Sequence, residues 1–243
     1  MRFEEFQLER NQSLFENEVD YNLSESGVHP LKISEILSSE EQNQILDKEL
    51  YYGYTNGTPE LRQRVLDIYD QNLSLDNVLI TSGSAEANFL SVMTQLNTGD
   101  EIVYMVPNYL QIFHLARSLG IKVKTLPIRQ ELGWQWDPDE LKKLVSSKTK
   151  MIVVCNPNNP TGAIMHDEIM DLVITIAEEN DCWILSDEVY RGAELKGEEC
   201  RSFAFSTEKT IVNSGLSKAY SLPGLRIGWT VGSKTYINRA WSF

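Results

Sequence analysis

Cysteine and histidine are scarce in this chain, with three of each among 243 residues. The cysteines (Cys155, Cys182 and Cys200) show no C-x-x-C spacing and an odd count, so neither a disulfide framework nor a zinc cassette is indicated. Cys155 and Cys182 fall in apolar runs, which reads as buried, reduced thiols. The histidines (His29, His114 and His166) lie far apart in sequence, and a metal site is not expected. Positive charge is also short: 22 Lys and Arg against 35 Asp and Glu leave a formal net charge of −13. So acidic a chain repels nucleic acid and anionic lipid, and neither is an expected partner. No apolar run approaches the length that spans a bilayer. The opening Met1-Arg-Phe-Glu-Glu5 lacks the apolar centre of a secretory signal, and a cytoplasmic protein is expected. Internal repeats and low-complexity tracts are missing too.

What the chain does have is a regular alternation of short β runs and amphipathic helices from residue 78 onward. Strands are expected at Val78–Ile80, Ile102–Val106, Ile121–Leu126, Met151–Cys155, Cys182–Leu185, Thr210–Asn213 and Ile227–Val231. Between them fall helices over Ala85–Leu96, Leu110–Leu119 and Asp167–Glu179, one opening at Asp137-Pro138, and a last one opening at Ser233. Strands separated by helices of this length pair in parallel. Upstream, the polar first fifty residues carry expected helices at Leu31–Leu37 and Glu40–Leu50. A turn-rich Tyr51-Tyr-Gly-Tyr-Thr-Asn-Gly57 follows, then a helix capped at Thr58-Pro59 with Leu61, Val65, Ile68 and Tyr69 on one face.

Four polar clusters follow four of the strands: Ser82-Gly-Ser-Ala-Glu86, Asn156-Pro-Asn-Asn-Pro-Thr-Gly162, Asp187-Glu-Val-Tyr190 and Ser214–Lys218. The carboxyl ends of parallel strands share one edge, where ligands bind, so these clusters are expected to converge. Ser82-Gly83-Ser84 opens a helix whose unpaired N–H groups and hydroxyls suit a phosphate. Two prolines and a glycine fix the 156–162 loop and aim an asparagine into the cleft. Asp187 ends an apolar strand, where a lone carboxylate is costly unless paired. Lys218 can form a Schiff base with a carbonyl when its free amine is favoured, and Arg226 supplies a fixed cation for a phosphate. An amine nucleophile beside a phosphate clamp points to an aldehyde cofactor that carries a phosphate, pyridoxal phosphate. A protonated pyridine nitrogen would then pair with Asp187, with Tyr190 in reach of the ring hydroxyl.

This combination resembles the fold-type-I pyridoxal-phosphate enzymes, specifically the class I/II aminotransferases, from about Tyr51 to Trp229. The resemblance implies a three-layer αβα fold around a mostly parallel sheet. It implies that Lys218 holds the cofactor and later shuttles a proton at the substrate α-carbon, while Asp187 pairs with the pyridine nitrogen. Asn159 and Tyr190 would contact the ring 3-oxygen, and Tyr109 would stack on the ring. Ser82, Gly83, Ser84 and Arg226 would hold the phosphate, with Ala85 and Ser217 in the same cofactor-binding group. Tyr52 or Tyr54 would reach the phosphate of a neighbouring subunit, which makes a homodimer with shared sites the expected assembly. Gly27 and Val28, next to Ser26, are candidates for substrate contact. Residues 1–50 are expected to belong to a small domain that covers the substrate, and 51–243 to the cofactor-binding large domain.

Two departures from the family pattern stand out. Gly215 occupies a position, three before the lysine, that is often Ser or Thr, and Ser214 or Ser217 could compensate. The family also continues for another domain's worth of sequence, including an arginine for the substrate carboxylate, so the small domain is expected to be incomplete here. The implied reaction moves an amino group from an amino acid to a 2-oxo acid. Alternatives are a lyase or cyclising synthase on a β-substituted amino acid, since Gly215–Tyr220 with Arg191-Gly-Ala-Glu194 resembles capreomycidine-synthase-like members, or a silent cofactor-binding fragment.

Overall fold

The computed structural model describes residues 4–69 and 73–243; Met1-Arg-Phe3 of the opening stretch lie outside them. Eight strands form one sheet: β1 (Val78–Thr81), β2 (Glu101–Val106), β3 (Lys122–Arg129), β4 (Gln135–Trp136), β5 (Thr149–Cys155), β6 (Trp183–Asp187), β7 (Thr210–Gly215) and β8 (Gly228–Gly232). Their order across the sheet is β1-β8-β7-β6-β5-β2-β3-β4. The five strands from β7 to β3 pair in parallel, while β8 runs antiparallel to both β1 and β7. Parallel neighbours need a long crossover. Between β7 and β8 the chain offers no long helix, only a loop of turns that includes one short 3-10 helix at Pro223–Leu225. With β4 antiparallel to β3 at the far edge, the sheet is the mostly parallel one expected from the sequence.

Helices cover both faces. On one side α4 (Pro59–Asp67), α7 (Pro138–Leu144) and α8 (Asp167–Glu179) bury Val65, Leu66, Leu141, Met170, Val173 and Ile176 against Ile152, Val154, Ile184 and Val212. On the other, α5 (Ser84–Gln95), α6 (Gln111–Ser118) and α9 (Lys234–Trp241) bury Leu90, Val92, Ile112, Leu115 and Ile237 against Met151, Val153, Leu185 and Ile211. Alternate residues of β5 thus serve opposite faces, the period-two pattern of a strand covered on both sides. The result is the three-layer αβα arrangement expected from the sequence. Among the described residues, no helix is long and apolar enough to cross a membrane.

The first fifty residues behave differently. α1 (Gln7–Phe15), α2 (Ile33–Ile36) and α3 (Ser39–Leu46) contain no buried residue. A helix that buries no face shows no apolar stripe in the sequence, which is why α1 went unforeseen. The expected helices at 31–37 and 40–50 shrink for the same reason: little beyond local caps holds them. Ser38 and Glu41 form a reciprocal box that opens α3, with the Ser38 N–H donating to Glu41 Oε2 at 2.8 Å.

Candidate active site

The register places Thr81, Cys155, Asp187 and Gly215 at the same carboxyl edge, with Gly228 entering β8 opposite both Thr81 and Gly215. Asp187, only 7% exposed, sits between Cys155 of β5 and Asn213 of β7. Asn88 Nδ2 donates to its Oδ2 at 3.1 Å and the Val189 N–H to its Oδ1 at 3.3 Å. Burial lifts the Asp187 carboxyl above its ordinary value, opposed by those two hydrogen bonds and by the charge of Lys218. Asn88 is itself oriented: Asn213 Nδ2 donates to its Oδ1 at 2.9 Å, and its second N–H reaches Gln111 Oε1 at 3.2 Å.

Arg226 lies on the opening of α5. A Cβ built on Gly83 would come 2.4 Å from Arg226 Nη2, and one on Gly228 would come 2.4 Å from the Ser84 nitrogen. Only glycines let β8, the guanidinium and the helix end meet this closely, and Gly83 also holds a φ of +85°. Two of the amides there are already engaged. The Ser82 N–H donates to Glu86 Oε2 at 2.5 Å and the Gly83 N–H to the Thr81 carbonyl at 2.9 Å. The N–H groups of Ser84 and Ala85, at the first helical positions, remain for an anion.

Gly215 is explained by the same crowding. A Cβ there would meet the Ile227 carbonyl oxygen at 2.9 Å, so the missing hydroxyl reflects lack of space. Ser214 does not compensate, because its buried hydroxyl donates to the Glu188 carbonyl at 3.1 Å. Ser217 is half-buried beside Lys218.

The 156–162 loop divides its asparagines. Asn156 Oδ1 accepts from the Met165 N–H at 2.9 Å, and Asn158 Nδ2 donates to the Pro107 carbonyl at 3.1 Å. These two shape the loop, while Asn159 Nδ2 donates to the Tyr190 hydroxyl at 3.1 Å. That hydroxyl also shares a 2.7 Å hydrogen bond with Ser26, and burial pushes its pKa up to about 12. Tyr109 follows β2, held where the Tyr104 hydroxyl donates to its carbonyl at 2.5 Å. Its own hydroxyl donates to Glu9 Oε1 at 2.5 Å. Burial raises the Tyr109 pKa, with Glu9, Asp187 and Tyr190 adding to the effect.

The structure therefore brings Asp187, Lys218, Asn159, Tyr190, Tyr109, Arg226 and the α5 opening to one sheet edge. Gly27 joins them, its Cβ position 3.8 Å from Lys218 Cδ. Tyr52 and Tyr54 stand in solvent at 102% and 64% exposure, outside this group, and Val28 is exposed as well. A cleft of ≈ 640 Å³ opens beside it, with Ser26, Asn159, Tyr190, Glu194 and Lys196 in its lining. Sequence reasoning missed Asn88, Asn213, Glu9 and Glu25. For Asn88 a signal existed, since it stands four residues after Ser84 on the buried, otherwise mostly apolar face of α5. Among the described residues, no cluster of three or more His, Cys, Asp or Glu could hold a metal ion.

Comparison with known proteins bears directly on this arrangement. Residues 20–243 match the family described as aminotransferase class I and II. The chain belongs to that family. Among curated aminotransferases it is 32% identical over 194 residues to the aspartate aminotransferase of Pyrococcus horikoshii, covering 77% of this chain and 49% of that protein. It is 31% identical over 193 residues to the aspartate/prephenate aminotransferase of Thermus thermophilus, covering 76% and 49%. A PLP-dependent aminotransferase from Streptococcus suis superposes with a TM-score of 0.91 at 31% identity, covering 100% of this chain and 66% of that one. The chain spans about half the length of the curated relatives it matches. These relatives are named as aminotransferases, not as lyases or cyclising synthases.

Proposed function

We propose that this chain is the cofactor-binding part of an aminotransferase that uses pyridoxal 5′-phosphate to move an amino group from an amino acid to a 2-oxo acid. The observation that carries the reading is the buried Asp187 carboxylate, acted on by the charge of Lys218, at the edge where Arg226 meets α5. A carboxylate so buried calls for a cationic partner, and a protonated ring nitrogen has the right charge. The glycine-lined cradle beside Arg226 suits a phosphate. The residues present fit the cofactor.

When bound, pyridoxal phosphate supplies an electron-withdrawing ring that stabilises negative charge at the substrate α-carbon. The chain does the rest by holding and orienting. Asp187, braced by Asn88, would keep the ring nitrogen protonated, and Asn159 with Tyr190 would hold the ring 3-oxygen. Tyr109 would cover the ring face. Arg226, Ser82, Gly83, Ser84, Ala85 and Ser217 would surround the phosphate. Lys218 would anchor the aldehyde carbon and, once released, move a proton at the substrate α-carbon. Residues 51–243 would form the cofactor-binding domain, and the segment 1–50 a substrate cover with Gly27 and Val28 facing the substrate. Exposed Tyr52 or Tyr54 would reach the phosphate held by a second copy of the chain, which makes the working unit a homodimer. Three free, buried cysteines suit a reducing compartment, and we infer a cytoplasmic location.

The test is chemical capture. Protein incubated with pyridoxal phosphate and reduced with borohydride should carry the cofactor mass on the peptide containing Lys218. Lys218→Ala should carry none. Cofactor found on a different lysine, or capture undiminished in Lys218→Ala, would refute the assignment.

A further inference from the structure

A carboxylate is held against the reactive lysine by a separate part of the chain. Lys218 Nζ donates to Glu25 Oε1 at 2.7 Å, and the same oxygen accepts the Gly27 N–H at 2.7 Å. Ser26 is tied to the Tyr190 hydroxyl, and the Leu31 N–H reaches the Ser221 carbonyl at 3.0 Å. The segment is therefore tied to the site at two points just after Glu25. Because Gly27 anchors the carboxylate independently of the lysine, the negative charge stays in place when Lys218 is engaged elsewhere. Burial would raise the Glu25 carboxyl, but the Lys218 contact and the Gly27 and Ser26 N–H groups outweigh it and hold it below its ordinary value. It is ionised at neutral pH.

With Lys218 as the cofactor anchor, the proposed role on which this inference rests, a substrate amine that displaces the lysine amine enters the reach of the Lys218 side chain, whose free Nζ stands beside Glu25. Covalent geometry keeps the γ-position of an amino acid within about 4 Å of its own nitrogen, whichever way the side chain turns. For an amine at that Nζ position, 2.7 Å from Glu25, a charge carried at the γ-position stands within about 7 Å of the carboxylate, and a longer, flexible side chain can fold back to the same range. Glu25 is exposed, so solvent screens this interaction in part, and its effect is a modest preference. Two cations on this edge, Lys218 and Arg226, are occupied by the cofactor in this reading. Lys196 lines the cleft together with Glu194. A second carboxylate lies nearby at Glu9, on Tyr109, and residues 1–50 hold twelve acidic against four basic side chains.

We propose that Glu25 makes this site select amino acids with a cationic side chain over neutral ones, and disfavour dicarboxylic amino acids. The test uses the full chain loaded with pyridoxal phosphate, after borohydride capture on Lys218 has been verified on a sample of it. Dissociation constants are read from the change in visible absorbance of the bound cofactor. The titrants are ornithine against its neutral counterpart norvaline, and aspartate against asparagine. Ornithine should bind at least fivefold tighter than norvaline, and aspartate at least fivefold more weakly than asparagine. Glu25→Gln, which can keep the Gly27 hydrogen bond, should bring both ratios to within about twofold of one, and Glu25→Lys should invert them. Ratios that persist in Glu25→Gln, or aspartate bound more tightly than asparagine by the unaltered protein, would overturn the inference and leave the aminotransferase reading standing. Failure of Lys218 to capture the cofactor would overturn both.

Discussion

Glu188, the neighbour of Asp187, offers a quantitative check on the structure that does not depend on any ligand. It is 1% exposed, and its carboxylate accepts from Ser186 Oγ at 3.0 Å, Ser202 Oγ at 2.6 Å and the Phe203 N–H at 2.9 Å. Burial nevertheless dominates and lifts the carboxyl from 4.5 to about 7, against those hydrogen bonds and the charge of Arg191. A folded-state value above the unfolded one means that the stabilising contribution is complete below pH 4.5 and lost as pH rises through 7. At about 1.4 kcal/mol per tenfold change in proton affinity, ionising this group costs the folded state ~3 kcal/mol.

Glu188→Gln removes the titration while keeping the shape, because the amide can still accept from Ser186 and Phe203 and donate to Ser202. Urea unfolding of both proteins at pH 5 and pH 8 isolates the effect, since all other titrating groups are common to the pair. The stability of the variant relative to the parent should rise by about 2–3 kcal/mol between those two pH values. A difference that stays constant with pH would refute the buried, partly protonated Glu188 described here.

Three further outcomes are expected. Arg226→Ala should weaken retention of pyridoxal phosphate by roughly 10- to 100-fold, the loss of a charge-assisted contact, measured by equilibrium dialysis. Gly228→Ala must push β8 away from the Gly83 carbonyl carbon, 2.3 Å from the new Cβ; a loss of about 1–3 kcal/mol should appear in thermal unfolding, together with weaker cofactor retention. Trp229→Phe removes the donor that meets the buried Tyr69 hydroxyl at 2.8 Å; it should cost about 1–3 kcal/mol, and much less in a Tyr69→Phe background, as a double-mutant cycle would reveal.

The sheet and its helices were readable because burial on both faces imposes periodicity. Met151–Cys155 and Asp167–Glu179 stand out as apolar patterns, and the caps at Asp137 and Ser233 mark true helix starts. The carboxyl-edge residues were readable for a related reason: polar groups directly after buried strands have few other places to go. What escaped were relations that no spacing encodes. Asn88 is joined to Asp187 across 99 positions of sequence, and Glu25 to Lys218 across 193. β4 is two residues long and too short to show a period. α1 buries nothing, so packing left no trace of it in the sequence. Gly215 looked like a lost hydroxyl, and only the backbone of Ile227 and Gly228 explains it.

The position of β8 governs when this sheet can close. β1 is the first of the eight strands to be made, yet among the described residues its one neighbour in the sheet is β8, the last of them to leave the ribosome. Until residues 228–232 emerge, the nascent chain must carry β1 as an unpaired edge and leave Gly83 without its counterpart. Insertion of that final strand joins two earlier parts of the sheet and closes the anion cradle in the same event, so a polypeptide able to grip a phosphate is one whose translation has already passed this point.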